Sequence, residues 1–323
     1  QYFPLILNLS NFSFGESYID YFDNVENFAV LLTPLLFHAI FYKFGGIVGI
    51  IFIEVIYQLI LITLLFKVIQ KIFGSYQISF LFCFVIFGLR IIIQYLDSSY
   101  LTLLIGQIEG IFGSRVPRPI FSSIFLFLFF YQILDFKKQL QINFQYKYLL
   151  ILSFSFGMLI NSFLYYFLNC FILLCLLFFL IKKKSSLIFL FNNLKKLVFF
   201  LLSLFIFIAP FIIQYALKEE DHAIRMGLFS INFEQKLFFF KNYIYSLIRP
   251  EVISVILIST IFYLLSNFKK RYEKIFDLNI FFYFFISSLI SPILFVLFSN
   301  KIISIHHFIL ITKFAGFFYL LLI

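Results

Sequence analysis

Long apolar runs alternate along this chain with short polar gaps, and the gaps themselves alternate in character. One set is rich in lysine: Lys67 and Lys71, Lys137-Lys138, Lys182-Lys183-Lys184 with Lys195-Lys196, and Lys269-Lys270-Arg271. The other set, segments 1–28, 96–118 and 217–251, collects carboxylates and arginines. A helix needs roughly 20 apolar residues to cross about 30 Å of hydrocarbon. Lysines at every second gap are the pattern of a multi-spanning protein whose lysine-rich loops face the cytoplasm.

The pattern predicts an all-α fold, a polytopic transmembrane helix bundle of about nine spans plus an outer interfacial helix. Residues 1–28 fall outside. The run 29–44 holds Pro34 and His38 and ends at Gly45-Gly46. At about 16 residues it is short for a span and reads as an interfacial or re-entrant helix. Spans follow at 47–66, 78–95, 120–134, 197–216, 251–268, 278–298 and 306–323. The stretch 148–181 lies between two lysine clusters, and as one helix it would reach about 51 Å. It must therefore turn, and Gly157, Asn161 and Ser162 mark the break, giving two short helices. The outer loops are 1–46, 96–118 and 217–250, and Ile224 to Tyr245 is amphipathic enough to lie on the membrane surface. Residues 1–323 read as a single transmembrane domain. The chain opens on Gln1 and stops within an apolar run at Ile323, as expected of a fragment truncated at both ends.

Composition excludes a water-soluble domain. The chain is 63% hydrophobic and 12% charged, with a mean hydropathy of +1.05; soluble domains run about half apolar and a quarter charged. The net charge of +10 resolves by side, because the lysine-rich gaps hold fourteen Lys and Arg against Asp135, Glu273 and Asp277. The excess is a topology signal and an attraction to anionic lipid headgroups, with no nucleic-acid partner. With no Trp, the interfacial aromatic belt falls to the 20 tyrosines. Cys83, Cys170 and Cys175 lie inside apolar runs and read as buried thiols. No Walker loop, dinucleotide glycine fingerprint, HExxH or CxxC occurs, which argues against nucleotide-driven chemistry.

Three charged residues fall inside spans: Glu54, Arg90 and Lys313. Charge in hydrocarbon is costly and normally faces a partner or a polar cavity. At 1.5 Å per residue all three lie about 8–10 Å below the outer ends of their helices. Equal depth predicts that Glu54 pairs with Arg90 or Lys313, either as a structural tie or as the charged floor of an outward cavity.

The candidate chemistry gathers on the outer side. Glu16, Asp20 and Asp23 recur at i, i+4 and i+7, placing three carboxylates on one helical face. Such a cluster suits a general base or a divalent hard metal, and a solvated acidic face would show the same spacing. In the next outer loop Asp97 and Glu109 precede Arg115-Val-Pro-Arg-Pro, where prolines stiffen Arg115 and Arg118 into a cationic clamp suited to phosphate. Headgroup snorkelling by the same arginines is the alternative. His222 and Arg225 belong to the third outer loop, and His306, beside His307, opens the last span as a further substrate contact.

The string Gly15-Glu16-Ser17 through Asp20 and Asp23, followed by Pro34-Leu35-Leu36 and Phe44-Gly45-Gly46, resembles a recurring arrangement of C-type glycosyltransferases. These multi-spanning enzymes use polyprenyl-phosphate sugars and include the protein O-mannosyltransferase-like and aminoarabinose-transferase-like families. Their first outer loop carries an acidic motif, then a surface helix, then a glycine before the next span. The Arg-Val-Pro-Arg-Pro string is also similar to a feature of uncharacterised bacterial membrane proteins of this type. One departure stands out: the paired Asp-Glu common in that first loop is replaced by separated acids, so the base stays open between Glu16 and Asp20, with Asp97 beside them. The resemblance implies transfer of a sugar from a lipid-linked donor to an acceptor hydroxyl on the periplasmic or lumenal face. A carboxylate would take the acceptor proton, and Arg115, Arg118 and Arg225 would stabilise the departing lipid phosphate. It also implies a bacterial inner membrane. Two other classes fit the pattern: a transporter or flippase of a lipid-linked or anionic solute, and a non-catalytic subunit of a membrane complex.

Overall fold

The computed structural model describes residues 3–12, 32–95, 119–182, 189, 191–216, 229–230, 232–268, 275–299, 301–302 and 305–323. Among them the helices are α1 (Phe3–Ser10), α2 (Leu32–Phe73), α3 (Tyr76–Tyr95), α4 (Ile120–Ile133), α5 (Phe136–Gln141), α6 (Tyr146–Ser162) and α7 (Leu164–Lys182). Then come α8 (Leu194–Ala216), α9 (Phe233–Leu247), α10 (Pro250–Phe268), α11 (Ile275–Phe298) and α12 (Ile305–Leu322). Two-residue strands β1 (Phe229–Ser230) and β2 (Lys301–Ile302) pair antiparallel. The all-α architecture expected from the apolar runs is present.

Among the described residues five helices are long and apolar enough to cross a membrane, and the bent pair α9–α10 makes a sixth if counted as one span. That is fewer than about nine. The apolar helix α4 has 14 residues, about 21 Å of rise against about 30 Å of hydrocarbon. It sits in the middle of the bundle, and twelve of its residues are buried. Its phenylalanines meet rings of four other helices edge-on or tilted: Phe121 against Tyr57 of α2, Phe129 against Phe156 of α6, Phe130 against Phe281 and Phe284 of α11, and Phe127 against Phe318 of α12. A helix clothed in protein can stop short of the bilayer surface, because its ends need not meet lipid.

The long helix α2 is two helices. Gly46 takes φ 56°, ψ −140°, and the arm 32–45 folds back on the arm 47–73. A straight helix would separate His38 from Glu54 by about 24 Å, yet their side chains touch. Gly49 allows the return, since a Cβ there would lie 2.1 Å from the carbonyl oxygen of Phe41. The break at Gly45-Gly46 is thus where the sequence expected it. The segment 1–46, expected as an outer loop, instead carries α1 as well: Leu5, Ile6 and Leu9 of α1 pack on Leu35 and Ala39 of the first arm. Burial of those apolar faces is what turns this stretch into helix.

The turn expected inside 148–181 is also present. Phe163 (φ −156°, ψ 94°) separates α6 from α7, and Phe156 and Phe167 meet at 5.7 Å across the fold. Helices α6 and α8 run parallel and close, with Tyr146 on Phe199 at one end and Phe154 on Phe207 further along. A Cβ on Gly157 would sit 2.3 Å from that of Phe207, so glycine sets this approach.

Among the described residues the ties between gaps join two of the same set. On the lysine-rich side Lys71 binds Asp135 at 2.6 Å and the carbonyl of Tyr131 at 2.9 Å, and Lys196 donates to the carbonyl of Asn143. On the other side β1 pairs with β2, and His307 packs on Phe163 and Tyr165 at the α6–α7 turn. The alternation along the chain is therefore an alternation between two ends of the bundle.

Two helices carry interior prolines, Pro210 in α8 and Pro292 in α11. A proline removes the N–H that its fourth-preceding carbonyl would receive, and in hydrocarbon such freed groups need other donors. In both helices a neighbour supplies one beside the gap. Asn161 Nδ2 donates to Phe207 O at 2.7 Å, and the Tyr243 hydroxyl donates to Leu289 O at 2.9 Å. Each acceptor lies three residues before its proline.

Candidate functional site

A buried cluster with ionisable members lies at the fold of α2. His38, on the first arm, is fully buried. Its Nδ1 lies 2.9 Å from the carbonyl oxygen of Pro34, one helical turn back, and its Nε2 lies 2.5 Å from Glu54 Oε1 on the second arm. Tyr57, one turn beyond Glu54, packs its ring 5.5 Å from the imidazole. Phe121 of α4 covers both sides of the cluster, touching Phe37 and Tyr57. The Tyr57 hydroxyl is buried and has no hydrogen-bond partner in the structure.

The geometry counts protons. A carbonyl only accepts, so the Nδ1 facing Pro34 carries hydrogen. The Nε2 and the Glu54 oxygen then need one further proton between them, for two lone pairs at 2.5 Å would repel. The pair is either imidazolium with carboxylate or imidazole with carboxylic acid, and in both forms it is neutral overall. Neutrality is what the low-dielectric interior favours. Chemically the cluster is a held proton beside an unpartnered phenol, and a ligand oxygen or a water would complete it.

These contacts correct the expected ion pairing. Glu54 pairs with His38, and Lys313 of α12 pairs with Glu251 at the start of α10, at 2.5 Å. Lys313 lies in a different helix neighbourhood from Glu54: α12 packs against α10, α11 and α9, while α2 packs against α1, α3 and α4. Arg90 lies on α3, and its side chain is outside the described residues. His38 was noted in the sequence only as part of a short helix. Its spacing from Pro34 carried a signal, for a histidine one turn after a proline in an apolar run can cap that turn internally.

The other expected site residues divide simply. Glu16, Asp20, Asp23, Asp97, Glu109, Arg115, Arg118, His222 and Arg225 lie outside the described residues. His306 is described and exposed at the start of α12, its ring 5.8 Å from that of His307. Among the described residues no three His, Cys, Asp or Glu side chains converge. Cys83 and Cys170 are buried free thiols, and Cys175 is partly exposed.

Long apolar helices and a buried ionisable cluster define a helical integral membrane protein. The chain matches no family model, no curated protein and no solved structure.

Proposed function

We propose that the protein is a membrane glycosyltransferase that moves a sugar from a polyprenyl-phosphate donor to an acceptor on the outer, periplasmic or lumenal, face. The observation that carries this reading is the α2 fold. A short helix ending at Gly45-Gly46 is pinned by His38–Glu54 to the long helix that follows. An acidic loop, a surface helix, a glycine and a span is the order that the C-type enzymes use. The first arm follows directly on the segment bearing Glu16, Asp20 and Asp23, so anchoring the arm anchors the end of that segment.

In this reading Glu16 or Asp20, with Asp97, deprotonates the acceptor, and the acidic cluster can take a divalent metal. Arg115, Arg118 and Arg225 receive the departing phosphate, with Asp23, Glu109, His222 and His306 contacting substrate. The membrane is a bacterial inner membrane, lysine-rich loops cytoplasmic, and α3, α4 and α6 bring the count to about nine spans. Membranes containing the protein are expected to transfer label from a polyprenyl-phosphate sugar, and Glu16→Gln or Asp20→Asn to lower the rate at least 100-fold, the usual weight of a general base. Transfer unchanged in both variants sinks the assignment.

A transporter is the second reading, favoured by the buried His38–Glu54 proton and by helix breaks at Gly46, Phe163 and Pro250. Solute-dependent proton uptake into proteoliposomes, lost in Glu54→Gln, would replace the enzyme reading with this one.

A further inference from the structure

At the lysine-rich end of the bundle a cavity of about 290 Å³ opens between α6, α7 and α8. Its wall is almost wholly apolar, built from residues such as Leu149 and Leu152 of α6, Leu174 and Cys175 of α7, and Phe200 of α8. The polar residues of its lining are Asn193, just before α8, and Lys196, in the first turn of α8. A cavity of that size and lining does not hold water well, and it falls at the small end of ligand pockets.

The chain segments that contribute to its lining are rich in lysine. Five lining residues come from segments 135–147 and 182–196, which together carry eight lysines and a single acid, Asp135. That acid is engaged by Lys71. Lys147 and Lys195 are exposed on the first turns of α6 and α8, and the Lys196 ammonium is held at the mouth by the carbonyl of Asn143. An ammonium has three N–H donors, so one carbonyl leaves others for an anion. An apolar slot with Lys196 in its lining, and with Lys147 and Lys195 exposed on the first turns of the helices that wall it, is complementary to one kind of molecule.

We infer that this cavity takes an acyl chain of an anionic glycerophospholipid whose phosphate is held by Lys196, Lys195 and Lys147. The site lies at the opposite end of the bundle from the outer loops that carry the proposed transfer chemistry, and it does not depend on that chemistry. The chain fills the apolar slot, and the phosphate meets cations that would otherwise repel one another. Helices α6, α7 and α8 are thereby fastened together at their lysine-rich end.

Cys175 is a reporter built into the wall. The intact protein is reconstituted in phosphatidylcholine vesicles with and without phosphatidylglycerol, and alkylation of Cys175 by a neutral maleimide is followed by peptide mass. Phosphatidylglycerol is expected to slow Cys175 about fivefold or more, the weight of one basic residue at an anionic surface, without changing Cys83 or Cys170. In Lys195→Gln/Lys196→Gln the slowing should vanish. Equal rates for wild-type protein in the two membranes, or slowing that survives in the double variant, overturns the site. As an independent measure, native mass spectrometry should show phosphatidylglycerol retained over phosphatidylcholine. Cys175→Trp, which fills the slot, should lose that retention. Retention without headgroup preference, or unchanged in Cys175→Trp, also overturns it.

Discussion

His38–Glu54 and Lys313–Glu251 are equally short contacts, both 2.5 Å, in very different surroundings. The His38 side chain is 0% exposed and that of Glu54 17%, whereas Glu251 keeps 53% of its exposure at the first turn of α10. The attraction between opposite charges rises as the local dielectric falls, and so does the penalty for leaving one of them alone. The first contact therefore holds the α2 fold in one arrangement. The second adds little beyond the favourable placement of a carboxylate at a helix start.

The sharpest way to break this contrast is His38→Ala. It strands Glu54 in an apolar wall, and unfolding in detergent followed by circular dichroism should show a loss of about 3–5 kcal/mol. Replacing both His38 and Glu54 by leucine should recover most of it. A loss near that of an exposed pair would mean that the fold of α2 does not rest on this contact.

Gly49→Ala tests the same fold from the backbone side. The new methyl would meet the Phe41 carbonyl oxygen, which cannot move without opening the two arms. A cost of about 2–3 kcal/mol is expected in the same assay. The effects of Gly49→Ala and His38→Ala should be less than additive, because each opens the same arms. Strict additivity would show that the arms stay closed without His38.

Beside these two contacts between ionisable groups stands one between an amide and a carbonyl. Asn161 is buried and donates to the Phe207 carbonyl near Pro210. Asn161→Leu should cost about 1 kcal/mol, since a lost neutral donor leaves a carbonyl but no charge. An effect matching His38→Ala would mean that burial alone, and not charge, sets the scale.

Glu251→Gln closes the series with an expected change of at most about 1 kcal/mol, shrinking further in salt. A larger, salt-independent loss would place Lys313 in drier surroundings than the exposed carboxylate indicates.

Much of the helical order was legible from the apolar runs. The breaks at Gly46 and Phe163 followed from run length and from glycine, asparagine and serine near the turns. Both are local matters: a chain in hydrocarbon must satisfy its backbone within each segment, so segment ends show in the sequence. Helix α1 was missed because its eight residues are too short to signal a span, and it forms by packing on the arm that follows. The short length of α4 was visible in its run, but its place at the centre was not. Its apolar residues look the same whether they face lipid or protein, and only its neighbours decide which.

The charged residues show the same division. Depth along each helix came from counting, and it put Glu54 and Lys313 at one level. Depth is one coordinate, and a contact needs two more: which helices are neighbours and how each is rotated. The α2 fold brought His38 across 16 residues to Glu54, and the packing of α12 on α10 gave Lys313 to Glu251. The sequence alone determined that this is a membrane-spanning helical chain with two chemically distinct ends, because the bilayer acts on every segment separately. The tertiary structure decided which buried charge is held and by what, because that energy exists only between segments.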